Sequence, residues 1–155
     1  MLELDHIYKV GDHLDTIIPA IPDQLRIHLM VAARAALEGY NGIDCFEFCA
    51  TFCGITRARF KTYLPKAENL SLYLLEPGNI HLIWLNNEPY HAGVLLNKCA
   101  TISKNGKADR LLIGSPDAIF QHYSAIAMQQ DARAQLSEGY IRIPKQLINY
   151  DLLYE

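Results

Sequence analysis

The sequence has little charge of either sign and no run of basic residues. Only 20% of its 155 residues are charged, and the formal net charge at pH 7 is −3. A nucleic-acid-binding domain usually gathers a basic excess on one face, so this composition argues against nucleic acid as a partner. The longest basic cluster, Arg57, Arg59 and Lys61, alternates with uncharged residues, a spacing typical of a solvated helix face.

Long apolar runs are also missing. The most apolar stretch, residues 27–37, is interrupted by Arg34 and is too short to span a bilayer. The N-terminus, MLELDHIYKVGDH, lacks the basic start and the continuous apolar core of a signal peptide. We therefore expect no membrane association and a chain that is cytoplasmic as synthesised. Export by a signal-peptide-independent route stays open.

Cysteine is scarce, and its spacing argues against a disulfide framework. Three of the four cysteines, Cys45, Cys49 and Cys53, are spaced i, i+4, i+8, and the fourth is Cys99. Helical neighbours at this spacing form disulfides of poor geometry, which favours reduced thiols. Three ligands along one straight helix diverge, so the set also disfavours a metal site. Nothing in the sequence requires a cofactor.

The spacing of apolar residues changes between the two halves of the sequence. Apolar residues recur at helical spacing over residues 22–38, and Asp44 is placed to cap a second helix that ends at Gly54. Thr56 is placed to cap a short third helix. The second half has short runs of Ile, Leu and Val between turn residues, which predict strands at 79–85, 92–96, 99–103 and 110–113.

These elements predict an α+β fold in one domain spanning residues 1–155. N-terminal helices would pack on a central antiparallel sheet, because short connections favour antiparallel neighbours. Residues 1–21, interrupted by glycine and proline, are predicted to form an irregular arm with one short strand at 6–10. A helix is predicted from Ser115 onward, continuing to residue 136, before a strand at 140–143.

Cys45 and His91 are the residues best placed for chemistry. Cys45 follows the predicted cap, so it lies in the first helical turn, where the dipole and free backbone N–H groups stabilise a thiolate. His91 directly precedes a strand, and a neutral imidazole within reach of a thiol can act as its base. The carboxylates of Asp44 and Glu47 act against this, because negative charge raises the pKa of a thiol. Inert packing is the alternative for Cys45, since free cysteine is often buried.

Three segments resemble the NlpC-type cell-wall peptidases, which are papain-like cysteine hydrolases. Residues 39–48, GYNGIDCFEF, resemble the family's Tyr-containing glycine-rich loop that leads to Asp-Cys at a helix start. Residues 90–97, YHAGVLLN, resemble its His-Val-Gly-Ile-Tyr strand, and residues 75–80, LEPGNI, resemble its Pro-Gly-Asp turn. The resemblance covers about residues 25–125, with the segments in the family's order.

The resemblance implies a role for four side chains. Cys45 would be the nucleophile and His91 its general base. Ser103 falls by count at the family's third polar position, which orients the histidine. Tyr40 resembles the loop tyrosine whose hydroxyl helps to stabilise the oxyanion, with a packed aromatic as the alternative.

The sequence also departs from the family's pattern. The small Ser-Gly pair that follows the family's nucleophile is replaced by Phe46 and Glu47. Ser103 stands where the family usually has His, Asn or Gln, and a hydroxyl is a shorter orienter than those groups. Asn97 or Asn105 could act in its place. His81, within a strand-like run, is predicted to be structural.

The resemblance implies a bacterial cysteine peptidase or amidase that cleaves an amide bond in peptidoglycan stem peptides through an acyl-enzyme. Its expected partner is a peptide or muropeptide substrate. An inhibitor protein is a further candidate partner. The sequence leaves the oligomeric state open. One alternative is an effector-like deamidase or acyltransferase that acts on a partner protein. Another is a non-catalytic binding domain that retains the fold.

Overall fold

The computed structural model of the protein describes residues 1–17, 23–38, 43–71, 74–106 and 108–142. The helices in those segments are α1 (Ile7–Ile17), α2 (Asp23–Glu38), α3 (Cys45–Cys53), α4 (Arg57–Lys61) and α5 (Pro116–Gln130), with a 3₁₀ turn at Leu64–Lys66. The strands are β1 (Leu2–Leu4), β2 (Ile80–Leu85), β3 (Glu88–Asn97), β4 (Ala100–Lys104), β5 (Leu111–Gly114) and β6 (Leu136–Ile141). The predicted α+β class is confirmed. Across the described segments, every helix is too short or too polar to traverse a lipid bilayer.

The six strands form one antiparallel sheet in the order β1-β5-β4-β3-β2-β6. Asn86 and Asn87 make the turn between β2 and β3 with φ values of 50° and 67°. Two successive left-handed residues match the twist of a tight hairpin, and asparagine tolerates that conformation. The three central strands are β4, β3 and β2, and they carry the candidate site.

The two faces of the sheet pack on different helices. One face contributes Leu82, Ala92 and Ile102 to the main core, where they meet Phe48 and Phe52 of α3. The other face contributes residues that meet α5, namely Ile83 and Leu112 against Ile119 and Tyr123. Because side chains alternate along a strand, His91 points to the α5 face while its neighbour Ala92 points to the α3 face.

The N-terminal segment differs from the predicted irregular arm. Residues 2–4 pair with β5 in the register Leu2↔Ile113, and α1 follows where a short strand at 6–10 was predicted. Val10 and Leu14 of α1 are fully buried. Gly11 lies inside this helix, although glycine there costs roughly 0.5–1 kcal/mol relative to alanine. Burial of one apolar face therefore outweighs a local preference that argued against a helix.

The C-terminal end of α5 also differs from the sequence expectation. The helix ends at Gln130 and does not continue to residue 136. Asp131 Oδ1 accepts a hydrogen bond from the Arg133 N–H at 2.9 Å, and the Ala134 N–H donates to the Asp131 carbonyl oxygen. This side-chain turn competes with a further helical turn. The predicted strand at 140–143 consequently begins earlier, at Leu136.

The predicted helix starts are confirmed by their caps. Asp44 Oδ1 accepts from the Glu47 N–H at 2.9 Å, and Ser115 Oγ accepts from the Ala118 N–H at 3.0 Å. Thr56 caps α4 in the same way. Each bond satisfies a backbone donor that the first helical turn leaves free. The cap at Asp44 is the one that positions the candidate nucleophile.

Candidate functional site

Cys45 is the first residue of α3, directly after the Asp44 cap. Its side chain is buried, with 4% of its surface exposed. The thiol accepts a hydrogen bond from the backbone N–H of Ala92, the residue that follows His91. The residue pairs of β3 with β4 begin at Val94↔Ile102, so Ala92 lies just beyond this part of the ladder. The start of α3 and strand β3, which carries His91, therefore meet at the contact between the Cys45 sulfur and the Ala92 N–H.

The surroundings of Cys45 keep its thiol protonated at neutral pH. Burial raises the pKa of Cys45 to about 12, and the carboxylate of Asp44 also raises it. The N–H groups of Ala92, Cys45 and Phe46 act in the opposite direction. Burial disfavours a charged sulfur more strongly than these donors favour it. A nearby base is therefore required before this sulfur can act as a nucleophile.

Cys49 and Cys53 lie one and two helical turns beyond Cys45 and are fully buried. Burial raises the pKa of Cys53 to about 12 and raises that of Cys49 well above its usual value. Among the described residues, no group of three or more His, Cys, Asp or Glu side chains could hold a metal ion. These two thiols are core residues, and they provide internal controls for the reactivity of Cys45.

His91 is held as a neutral imidazole. Burial lowers the pKa of His91 to about 3, with smaller contributions from the charges of His81 and His122. Its ring stacks on the ring of Tyr123, with centroids 3.9 Å apart and planes inclined by 24°. The Nε2 atom has no hydrogen-bond partner in the part of the chain that the structure describes, so neither Cys45 nor Ser103 bonds it. A neutral imidazole is the form that a general base requires.

Tyr123 connects the thiol and the histidine. Burial raises the pKa of Tyr123, and negative charge at Cys45 raises it further, so the phenol and the sulfur are electrostatic neighbours. The Tyr123 hydroxyl donates to Asn105 Oδ1 at 3.1 Å. Helix α5 therefore covers the site with an aromatic ring. No sequence motif marked Tyr123, because its role depends on where α5 packs.

Ser103 lies on the same face of the sheet as His91, one strand away. It is opposite Gly93, where an added Cβ would lie 3.0 Å from the Ser103 Cβ. Its Oγ is buried and meets no hydrogen-bond partner within the described segments. The structure brings Ser103 into the neighbourhood of His91 but gives it no bond to the ring.

The other candidates for the orienting role are placed differently. Asn97 Oδ1 accepts from the Cys99 N–H at 2.7 Å, at the far end of β3. Asn105 is linked to His91 only through the hydroxyl and ring of Tyr123. Tyr40 lies outside the described residues.

Two polar features near the site were missed by sequence reasoning. Lys104 is buried, and its Nζ donates to the carbonyl oxygens of Ile43, at 3.1 Å, and Ala108. It thereby joins the segment before α3 to the end of β4. His81 Nε2 lies 2.7 Å from Glu138 Oε2, and the His81 ring stacks on Tyr140. Both features join residues far apart in the chain, which leaves no local signal.

Phe46, which together with Glu47 replaces the family's Ser-Gly pair, lines a surface groove and not the buried site. The groove has a volume of about 380 Å³, and its walls are Phe46, Leu64, Pro65, Trp84 and Pro89, with Lys61 at the rim. The Arg57 guanidinium lies 5.9 Å above the Phe46 ring and pairs with Asp44 at 2.6 Å. The groove therefore includes Phe46, the residue that follows Cys45 in α3, and combines an apolar wall with the cationic side chain of Lys61.

Replacing Asp44 by asparagine is expected to lower the pKa of Cys45 while preserving α3. Asparagine caps helices as well as aspartate does, but it carries no charge to oppose a thiolate. We expect the alkylation rate of Cys45 by iodoacetamide at pH 8 to rise about 2- to 5-fold. The Asp44→Ala variant is the control, because it also loses the cap and about 1 kcal/mol of stability. An unchanged rate in Asp44→Asn would contradict the electrostatic role of Asp44.

The chain matches no family model, no curated protein and no solved structure. The resemblance of residues 39–48 and 90–97 to the NlpC-type peptidases therefore stays a proposal. The structural support for a function comes from the arrangement of Cys45, Ala92, His91 and Tyr123.

Proposed function

We propose that this protein is a papain-like cysteine hydrolase that cleaves an amide bond, with Cys45 as the nucleophile and His91 as the general base. One observation carries the proposal: the Cys45 sulfur lies in the first turn of α3 and accepts a hydrogen bond from the N–H of Ala92, the residue that follows His91 in β3. A helix start, three N–H groups that favour the thiolate and a neutral imidazole on the adjoining residue are what thiol activation needs.

The reaction would follow acyl-enzyme chemistry. His91 accepts the thiol proton as the Cys45 sulfur bonds to the carbonyl carbon, and the carbonyl oxygen becomes an oxyanion near the backbone N–H of Cys45. The carbon–nitrogen bond then breaks, and His91 returns the proton to the leaving amine. Water, deprotonated by His91, hydrolyses the thioester and restores the thiol.

Hydration of the site favours this chemistry. Burial is the largest cause of both the high pKa of Cys45 and the low pKa of His91. Water or a polar substrate that enters beside Tyr123 therefore moves the two pKa values towards each other, and proton transfer from sulfur to imidazole becomes less unfavourable. The described arrangement corresponds to the closed form of the site, with Tyr123 over His91.

For the substrate we propose a peptidoglycan stem peptide or another muropeptide. The matched motifs in residues 39–48 and 90–97 support this class. The groove beside Phe46 supports it as well, because an apolar wall with Lys61 at the rim suits a peptide that carries a carboxylate. The same chemistry acts as a deamidase when the bond cleaved is the side-chain amide of a partner protein.

Cys45 is expected to react with iodoacetamide faster than the other cysteines of its helix. The experiment uses a Cys99→Ser background, because Cys99 is exposed and would be alkylated first. We expect modification of Cys45 at pH 7 at least about 10-fold faster than that of Cys49 or Cys53, measured by peptide mass spectrometry. Equal rates at all three positions would mean that the thiol is not activated.

Loss of the nucleophile is expected to abolish hydrolysis of purified peptidoglycan fragments. Product formation should fall at least about 1,000-fold in Cys45→Ala, as is typical when a catalytic nucleophile is removed. The matched control is Cys49→Ala, one turn further along α3, which should retain activity. Identical product profiles for Cys45→Ala and the parent protein would reject wall-peptide hydrolysis through Cys45.

A non-catalytic domain that retains this fold is the second candidate. It is favoured by the burial of both Cys45 and His91 and by the absence of a bond between Ser103 and the imidazole. This reading predicts that Cys45 is no more reactive than Cys49. The alkylation experiment therefore decides between the two functions.

A further inference from the structure

Three buried polar atoms that have no hydrogen-bond partner among the described residues lie on neighbouring strands of the α5 face. They are His81 Nδ1 on β2, His91 Nε2 on β3 and Ser103 Oγ on β4. Each of these residues is 1% exposed or less. Leaving a buried polar atom unpaired costs about 1–3 kcal/mol, so three of them around one point indicate a functional arrangement.

Strand register brings these side chains around Gly93. His81 pairs directly with Gly93 across β2 and β3, and the Ser103 Cβ lies 3.0 Å from where a Gly93 Cβ would be. His91 is two residues before Gly93 and therefore on the same face. Diagonal neighbours across two strands are about 7–8 Å apart, within reach of two imidazole rings. Gly93, with no side chain, leaves space between them.

His81 differs from Ser103 in being held by a carboxylate. Glu138 Oε2 on β6 lies 2.7 Å from His81 Nε2. The His81 ring also stacks on Tyr140, with centroids 5.1 Å apart. A carboxylate that accepts the Nε2 proton fixes the tautomer of a histidine and leaves Nδ1 as a hydrogen-bond acceptor. That acceptor is the unpartnered atom.

We propose that His81, held by Glu138, is the positioning residue for His91, the role that the family resemblance gives to Ser103. The inference rests on the proposed function. When His91 takes the proton of Cys45, its second N–H donates to His81 Nδ1, while His81 keeps its own proton at Nε2 in the bond to Glu138. No proton passes from His91 to His81. The carboxylate of Glu138 and the imidazoles of His81 and His91 thus follow one another across β6, β2 and β3, and the Cys45 thiol meets β3 at the N–H of Ala92, the next residue.

Several charged or titratable groups act on His81 and His91 from the elements packed against this face. They are Glu138 and Tyr140 of β6 together with His122 and Tyr123 of α5, and Asp117 of α5 acts on Tyr140. Whether His81 stabilises or destabilises the His91 imidazolium depends on the charge of His81 itself. A neutral His81 accepts a bond and stabilises the His91 imidazolium, whereas a protonated His81 repels it. Removing His81 consequently distinguishes a positioning role from simple repulsion.

The alkylation rate of Cys45 in the Cys99→Ser background measures this role. We expect His81→Gln and Glu138→Gln each to lower the rate at pH 7 about 10-fold or more, the usual cost of removing a group that orients a functional imidazole. Ser103→Ala is the matched control and should change the rate less than 2-fold. A faster rate in His81→Gln, or a loss in Ser103→Ala alone, would overturn the assignment. Glu138 is partly exposed, so its variant tests the idea even if His81→Gln does not fold.

Nitrogen-15 NMR of the imidazole rings gives a readout that is independent of reactivity. In the parent protein we expect His81 as the Nε2–H tautomer, and in Glu138→Gln a mixture of tautomers together with a changed His91 spectrum. An Nδ1–H tautomer of His81 in the parent protein would overturn the proposal. If the thiol of Cys45 shows no preferential alkylation, the proposed hydrolase function fails, while the ring spectra still decide whether His81 supports His91.

Discussion

Lowering the pH from 7 to 4 is expected to reduce the free energy of unfolding by about 3 kcal/mol through His91 alone. Burial lowers the pKa of His91 from 6.5 to about 3 in the folded protein. The unfolded chain therefore binds a proton at His91 near pH 6.5, whereas the folded protein does not. The stability contributed by the neutral ring is fully present above pH 6.5 and is lost as the pH falls towards 3. Burial lowers the pKa of His28 as well, which acts in the same direction.

The His91→Phe variant isolates this contribution. Phenylalanine keeps an aromatic ring against Tyr123 but does not titrate, and it removes a buried Nε2 for which the described residues offer no partner. Urea unfolding at a series of pH values between 7 and 4 should give a shallower loss of stability for the variant. Because His28 and the carboxylates are common to both proteins, the difference between the two curves reports His91. Parallel curves would show that His91 is not held neutral by burial.

Removing the Tyr123 side chain is expected to open the site. Tyr123 stacks on His91, and burial is the main reason why the pKa of His91 is low and that of Cys45 is high. In Tyr123→Ala, water should reach both groups and raise the alkylation rate of Cys45 at pH 7 at least about 10-fold. Loss of a buried aromatic side chain should at the same time cost about 3–5 kcal/mol of stability.

Tyr123→Phe is the control for this experiment. It keeps the ring over His91 and loses only the hydroxyl bond to Asn105, with an expected cost of about 1 kcal/mol. Its alkylation rate should match that of the parent protein. Alkylation is compared under conditions where circular dichroism shows each variant to be folded. If Tyr123→Ala reacts no faster than Tyr123→Phe, α5 does not control access to Cys45.

Local signals accounted for most helix and strand positions. The caps at Asp44, Thr56 and Ser115 each bond a backbone N–H three residues further on, so the residues that define a helix start are close together in the sequence. The turn residues Asn86 and Asn87 likewise specify the β2–β3 hairpin through their own conformations. Such elements are predictable because their stabilising bonds join near neighbours.

The errors occurred where distant packing overrides a local preference. Gly11 argued against a helix in the N-terminal segment, yet burial of Val10 and Leu14 stabilises α1 there. Beyond Gln130 the composition still suited a helix, but the side chain of Asp131 forms a turn that leads into β6. Neither outcome follows from propensity alone, since both depend on the core that the segment meets.

The sequence by itself determined that Cys45 begins a helix and that residues 92–96 form a strand, because cap and period are local properties. The strand was predicted to begin after His91, but β3 begins at Glu88 and includes His91. Only the tertiary structure decided which face His91 occupies, that Tyr123 covers it, and that the thiol meets the N–H of Ala92. It also decided that Glu138 holds His81, through a contact between residues 57 positions apart. Contacts at that separation arise from strand order and helix packing, which no local pattern specifies.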